Sequence, residues 1–162
     1  MEKRKRMTGD RLKVCFAASS GGHYEQLMML KPLMLKYRSF IVTEKTPYSR
    51  PVDGVDTWYL LQVNRREPDF PLKLIANAAK AVRILHREKP DVIVTTGVLA
   101  VVPLCLLQKL RGGKLIYIES FAKVNGPTET GKFLYRYADR FYVQWPSMLE
   151  FYPEARYVGG IY

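Results

Sequence analysis

Lys13-Val14-Cys15-Phe16-Ala17-Ala18-Ser19-Ser20-Gly21-Gly22-His23 is the stretch on which the fold turns. A short apolar run ends on two serines and two glycines, which reads as a buried strand entering a tight turn. Beyond it Leu27, Leu30 and Met34 recur at helical spacing, so the turn opens a helix over 23–36, with Pro32 as the point where it kinks. A strand, two glycines and a helix aim backbone N–H groups and a positive helix end at one spot, which suits a phosphate or diphosphate. A bare strand-to-helix turn remains the alternative, because neither G-x-G-x-x-G nor G-x-x-x-x-G-K-[ST] is present.

The alternation continues outward. Residues 40–43 and 57–61 read as strands, and a polar loop covers 64–68. Residues 72–88 form the clearest helix, with Leu74, Ile75, Ala78, Val82 and Leu85 on one face and Lys73, Lys80, Arg83 and Arg87 on the other. Pro90 ends it. A strand over 91–96, a turn at Gly97, a short apolar helix over 103–110 and a strand over 114–118 follow. A helix over 130–138, a strand over 141–144, a helical turn over 148–152 and a strand over 156–158 complete the chain. Near-continuous apolar strands between helices predict an α/β, Rossmann-like parallel sheet with helices on both faces. Ligands of such sheets bind beyond the carboxyl ends of the strands. Those ends carry Gly21-Gly22-His23, Glu44, Gly97 and Glu119-Ser120.

His23 stands at the helix start and can change charge near neutral pH, so it is a candidate phosphate ligand or base. A histidine that only caps the helix is the plainer reading. Glu44 lies about 20 residues past the glycines, where a dinucleotide enzyme holds ribose hydroxyls. Glu119 ends the fifth strand and is a candidate general base, with a hydrogen-bonded loop carboxylate as the alternative. His86 falls on the basic flank of its helix and reads as surface. No Asp-x-Asp pair or His/Cys cluster points to a metal, and no cofactor is expected.

The 162 residues suit one domain, with 48% hydrophobic and 25% charged residues placing the chain in the globular class. Lys plus Arg number 26 against 15 Asp plus Glu, a formal +11 that suggests an anionic partner. Residues 1–11 read as a basic, flexible arm and 12–162 as the folded domain. Cys15 and Cys105 sit in apolar runs and read as buried thiols of a cytosolic protein. No signal peptide is recognisable, and the apolar run 98–107 contains Pro103 and is too short to span a bilayer. Membrane contact is therefore expected to be peripheral or through a partner.

Five segments occur in order: Ser19-Ser20-Gly21-Gly22-His23-Tyr24-Glu25-Gln26, Thr96-Gly97-Val98, Tyr117-Ile118-Glu119-Ser120-Phe121-Ala122-Lys123-Val124, Thr130-Gly131-Lys132 and Tyr157-Val158-Gly159-Gly160-Ile161-Tyr162. Together they resemble the oligosaccharide and capsular-polysaccharide biosynthesis family, whose eukaryotic member is the membrane-anchor subunit of a split UDP-N-acetylglucosamine transferase. The resemblance runs from Leu12 onward. It implies the N-terminal half of a GT-B fold, which binds a lipid-linked sugar acceptor, while a separate glycosyltransferase subunit binds the nucleotide-sugar. A fused relative adds N-acetylglucosamine to the peptidoglycan lipid intermediate, and its similar loop faces the acceptor diphosphate. By that match Gly21, Gly22 and His23 contact the phosphates, Glu119 lies near the reacting hydroxyl, and Ser20, Gly97 and Ser120 line the site. The implied location is cytoplasmic, peripheral at the inner face of the cell membrane. One departure is the basic arm where anchor subunits carry a hydrophobic segment.

Two other functions stay open at this level. A small NAD(P)-dependent oxidoreductase is suggested by Glu44 and the sheet order. A non-catalytic module for anionic lipid is suggested by charge. Nucleic acid is not expected as a partner, since no binding motif for it is recognisable.

Overall fold

The structure is a computed structural model that describes residues 12–47 and 49–162. The expected basic arm, 1–11, lies outside the described residues. Seven strands form one sheet: β1 (Lys13–Ala18), β2 (Arg38–Glu44), β3 (Asp56–Leu60), β4 (Val92–Gly97), β5 (Lys114–Ile118), β6 (Arg140–Val143) and β7 (Arg156–Tyr157). The order is β3-β2-β1-β4-β5-β6-β7, and every pairing is parallel. Among the described residues five α-helices lie between them, α1 (Gly22–Met28), α2 (Lys31–Lys36), α3 (Phe70–Glu88), α4 (Val102–Leu110) and α5 (Glu129–Tyr135), with two short 3-10 helices, Leu99–Val101 and Pro146–Glu150.

Side chains of a strand alternate between faces, and β1 divides accordingly. Cys15 and Ala17 join a core with Ala81, Ile84 and Leu85 of α3, Leu104 and Cys105 of α4, and Leu134 of α5. Val14, Phe16 and Ala18 join the opposite core with Leu27 of α1 and Met34 of α2. Helices therefore cover both faces, as the apolar strands require. The chain runs outward from β1 to β3, and α3 then carries it back to β4 on the other side of β1. That reversal opens a crevice between the carboxyl ends of β1 and β4.

Two helices differ from the sequence expectation. The single helix over 23–36 is broken into α1 and α2 at Met29 and Leu30, and Pro32 sits in the first turn of α2. Proline is welcome there because that turn has no use for its N–H. On α3 the apolar arc is wider than the buried one. Asn77, Ala81, Ile84 and Leu85 are buried, while Ile75 and Val82, expected on the core face, are 67% and 55% exposed.

Both cysteines are free and fully buried. Burial pushes both thiols up, Cys105 to about 12, so they remain protonated and unreactive at neutral pH. Among the described residues no helix is long and apolar enough to cross a membrane.

Candidate functional site

The site is built where β1 runs out. Ser19 N–H donates to the Gly97 carbonyl (2.8 Å), and Val98 N–H donates to Ser19 Oγ (3.2 Å), which joins the ends of β1 and β4. Gly21 has φ +77, a left-handed value that favours glycine, and an added Cβ at Gly21 or Gly22 would meet no atom within 4 Å. Space above the loop is therefore open to an incoming group. By helix geometry the first N–H groups of α1 have no intrahelical acceptor and face that space.

His23 is half-buried and held twice by the end of β4. Its Nδ1 lies 2.7 Å from the Thr96 carbonyl, and Thr96 Oγ1 donates to the His23 carbonyl at 2.7 Å. A carbonyl can only accept, so Nδ1 carries the proton in the neutral ring and Nε2 presents a lone pair. Among the described residues Nε2 has no hydrogen-bond partner. Gly97 packs directly beneath, at φ +94, where a Cβ would come within 3.0 Å of Tyr117 Oη and 3.8 Å of His23 Nδ1. Its part is to let the imidazole and Tyr117 approach.

Glu119 is differently placed. It is fully buried, and both its oxygens are occupied. Oε1 accepts from Ser120 N–H (2.9 Å) and Thr128 Oγ1 (2.9 Å), and Oε2 accepts from Thr128 N–H (3.1 Å) and Tyr152 Oη (2.6 Å). Thr128 Oγ1 also caps α5 by accepting from Gly131 N–H at 2.8 Å. Burial first, and then the hydrogen bond to Glu119, push the Tyr152 hydroxyl well above its ordinary value, so it remains a donor. The geometry is that of the loop carboxylate weighed from the sequence, with no face turned to the crevice. Ser120 is likewise buried, with Oγ accepting from Ala122 N–H (3.3 Å) and Gln26 Nε2 (3.4 Å).

Glu44 is also consumed by the chain itself. Oε2 accepts from Ser20 N–H (2.9 Å) and Ser20 Oγ (2.8 Å), and Oε1 accepts from Val63 N–H (2.9 Å). The carboxylate pins the glycine loop, with Oε2 accepting twice and Oε1 once, which weakens one of the two features behind the oxidoreductase reading. Beside it, between the glycine loop and the loop after β2, lies a cleft of about 700 Å³ reached by Tyr24, Thr43, Arg50 and Gln62.

Sequence reasoning missed the buried amides that join these parts. Gln26 Oε1 accepts from Phe121 N–H (3.0 Å) and Gln144 Nε2 (2.9 Å), Gln144 Nε2 also reaches the Glu119 carbonyl (2.9 Å), and Ile161 N–H donates to Gln144 Oε1 (2.9 Å). Gln26 lies in the quoted glycine segment, but Gln144 lies in none, and only the fold brings them together. Among the described residues no group of three or more His, Cys, Asp or Glu could hold a metal ion.

A doubly wound parallel sheet with a glycine loop at its switch point defines a Rossmann-like α/β domain with a crevice at the carboxyl ends of its strands. Solved structures of that fold include MurG of Acinetobacter baumannii (TM-score 0.65, 17% identity, 83% of this chain and 42% of that one). UDP-N-acetylglucosamine 2-epimerase from Rickettsia bellii is also similar (TM-score 0.71, 13% identity, 93% of this chain and 45% of that one). The chain thus spans less than half the length of these structures. Residues 64–161 match the family described as oligosaccharide biosynthesis protein Alg14 like, and the chain belongs to that family. It is 32% identical to UDP-N-acetylglucosamine transferase subunit ALG14 of Yarrowia lipolytica, over 91% of this chain and 80% of that protein. The subunit of the same name from Homo sapiens is 27% identical, over 93% and 83%.

Proposed function

We propose that this chain is the acceptor-binding, membrane-associated subunit of a two-component glycosyltransferase in polysaccharide biosynthesis, capsular or exopolysaccharide synthesis being the setting. The observation that carries this reading is the open Nε2 of His23 beside the uncovered Gly21-Gly22 loop. A polyprenyl diphosphate lies against the loop's N–H groups, and the hydroxyl of its sugar meets His23. As that oxygen bonds to the anomeric carbon of a nucleotide-sugar held by the partner subunit, His23 Nε2 takes its proton. The bond from the anomeric carbon to the diphosphate breaks, and a nucleoside diphosphate leaves with the electron pair. The Thr96 carbonyl steadies the imidazolium that forms. Glu119 and Ser120 act behind the site by fixing the loop after β5 and the start of α5. The reading calls for no metal or cofactor.

Membrane attachment is supported by one face. Leu72, Ile75, Val82 and Leu110 are 70%, 67%, 55% and 83% exposed, among Arg83, Arg87, Lys89 and Arg111 of α3, α4 and the turns after them. Apolar side chains ringed by cations suit a peripheral seat on the anionic cytoplasmic leaflet. The same face favours the second reading, a lipid-binding module without catalysis.

Co-expression with the donor-binding subunit, assayed for sugar transfer onto a polyprenyl-diphosphate acceptor, tests the proposal. Low turnover alone and high turnover together are expected. Full turnover by the chain unaided would sink the two-subunit reading. Vesicle binding with no transfer in any pairing leaves only the lipid module.

A further inference from the structure

We propose that the cleft on the β2 side of the glycine loop seats the sugar of the acceptor and sets which sugar is accepted. This rests on the acceptor-binding reading above. The cleft and the loop share Ser20 and Gly21, so a ligand whose diphosphate lies at the loop has its next group at the mouth of the cleft. At about 700 Å³ it is also larger than the two apolar concavities beside α4, of about 410 and 340 Å³.

The lining argues for a hydroxyl-rich ligand rather than an anion. Glu25 and Glu44 oppose Arg50, so the cleft carries no cationic excess of its own. Since Glu44 is held by Ser20 and Val63, what remains for a ligand is chiefly the Glu25 carboxylate, one guanidinium, the Gln62 amide and hydroxyls. Neither the Arg50 guanidinium nor the Gln62 amide has a side-chain partner among the described residues. Thr43 is 4% exposed, lines the cleft, and its Oγ1 has no hydrogen-bond partner among the described residues. A buried hydroxyl without a partner is costly unless something fills the vacant bond. The Tyr24 ring supplies the flat apolar wall on which the C–H face of a sugar rests. Few convergent polar groups beside an aromatic face are what orient a small ligand.

The division of labour is then spatial. The sugar bridges the loop, its body read on the β2 side and its reacting hydroxyl turned back to the imidazole held by the end of β4.

The test is binding to the purified full chain in detergent, with phytanyl diphosphate bearing N-acetylglucosamine, glucose or galactose against sugar-free phytanyl diphosphate. At least one sugared probe should bind about tenfold or more tightly than the sugar-free one. Gln62→Ala, Arg50→Ala and the isosteric Thr43→Val should each weaken that probe about 3- to 30-fold and leave the sugar-free probe unchanged, with far-UV circular dichroism as the check on folding. Equal binding of sugared and sugar-free probes, or equal losses on both, overturns the cleft proposal alone. Absence of binding by any probe overturns the acceptor reading and the cleft with it.

Discussion

Glu119 directly follows β5 and His23 stands in the first turn of the helix after β1, both at the carboxyl edge of the sheet, yet they present opposite chemistry. Half of the His23 ring is engaged, by the Thr96 carbonyl, and the other half is open. Every direction around the Glu119 carboxylate is filled, from Ser120, Thr128 and Tyr152. Strand-end position therefore nominates a residue, and the hydrogen-bond account shows which of its atoms are still free to act. Glu44 repeats the lesson on the other flank, where Ser20 and Val63 use both oxygens.

The comparison breaks most visibly at the imidazole. His23→Ala is expected to lower turnover of the two-subunit enzyme by roughly 10²- to 10⁴-fold, the range of a lost general base. Thermal stability should fall only by the worth of one hydrogen bond, about 1 kcal/mol. A scan of melting temperature beside single-turnover rates checks this, and a parallel loss of both would make His23 a fastener too.

On the other side of the comparison the effect should be structural. A Cβ at Gly131 would land on Glu119 Oε2 and within 2.6 Å of Tyr152 Oη and 2.7 Å of Thr128 Oγ1. Gly131→Ala should therefore destabilise the fold by about 3 kcal/mol, which for a domain of this size lowers Tm by roughly 10 °C. Gly22→Ala, where no atom lies within 4 Å, is the control and should leave Tm nearly unchanged. Equal melting of the two variants would contradict the packed Glu119 cluster.

A third carboxylate sharpens the contrast, because it fastens by charge. Burial pushes Asp139 up, but Lys109, the Leu115 N–H and Lys114 outweigh that and hold it at about 2, against an ordinary 3.8. Its folded value is depressed, so its stabilisation is present above pH 3.8 and is lost as pH falls toward 2. Allowing for solvent screening, about 1 kcal/mol is at stake. Acid titration of unfolding, wild type against Asp139→Asn, should show the wild-type advantage disappear across that window.

The sequence made the alternation legible because each strand announces itself by an apolar run and a breaker: Val14 to Ala18 before two glycines, Ile93 and Val94 before Gly97. The reach of a pattern stops where a neighbour must be chosen. Ile75 and Val82 fit the apolar arc of α3 as well as Leu85 does, but the sheet and α4 cover only part of that arc. The occupancy of Glu119 was hidden for a similar reason. Its partners Thr128 and Tyr152 stand 9 and 33 residues away, and no local spacing foretells their meeting. His23 beside the glycines was visible, while the carbonyl that fixes its tautomer belongs to Thr96, 73 residues on.

That distance of 73 residues also sets an order of events during synthesis. β1 can pair with β2 as soon as both have left the ribosome, but its other edge lacks a neighbour until β4 follows. At about 5–20 residues per second this interval is on the order of ten seconds. Through it a strand made of Val14, Cys15 and Phe16 has one side unpaired, and the imidazole has no carbonyl to hold it. A nascent chain stalled before residue 92 should thus engage chaperones, and one stalled after β4 has emerged should release them.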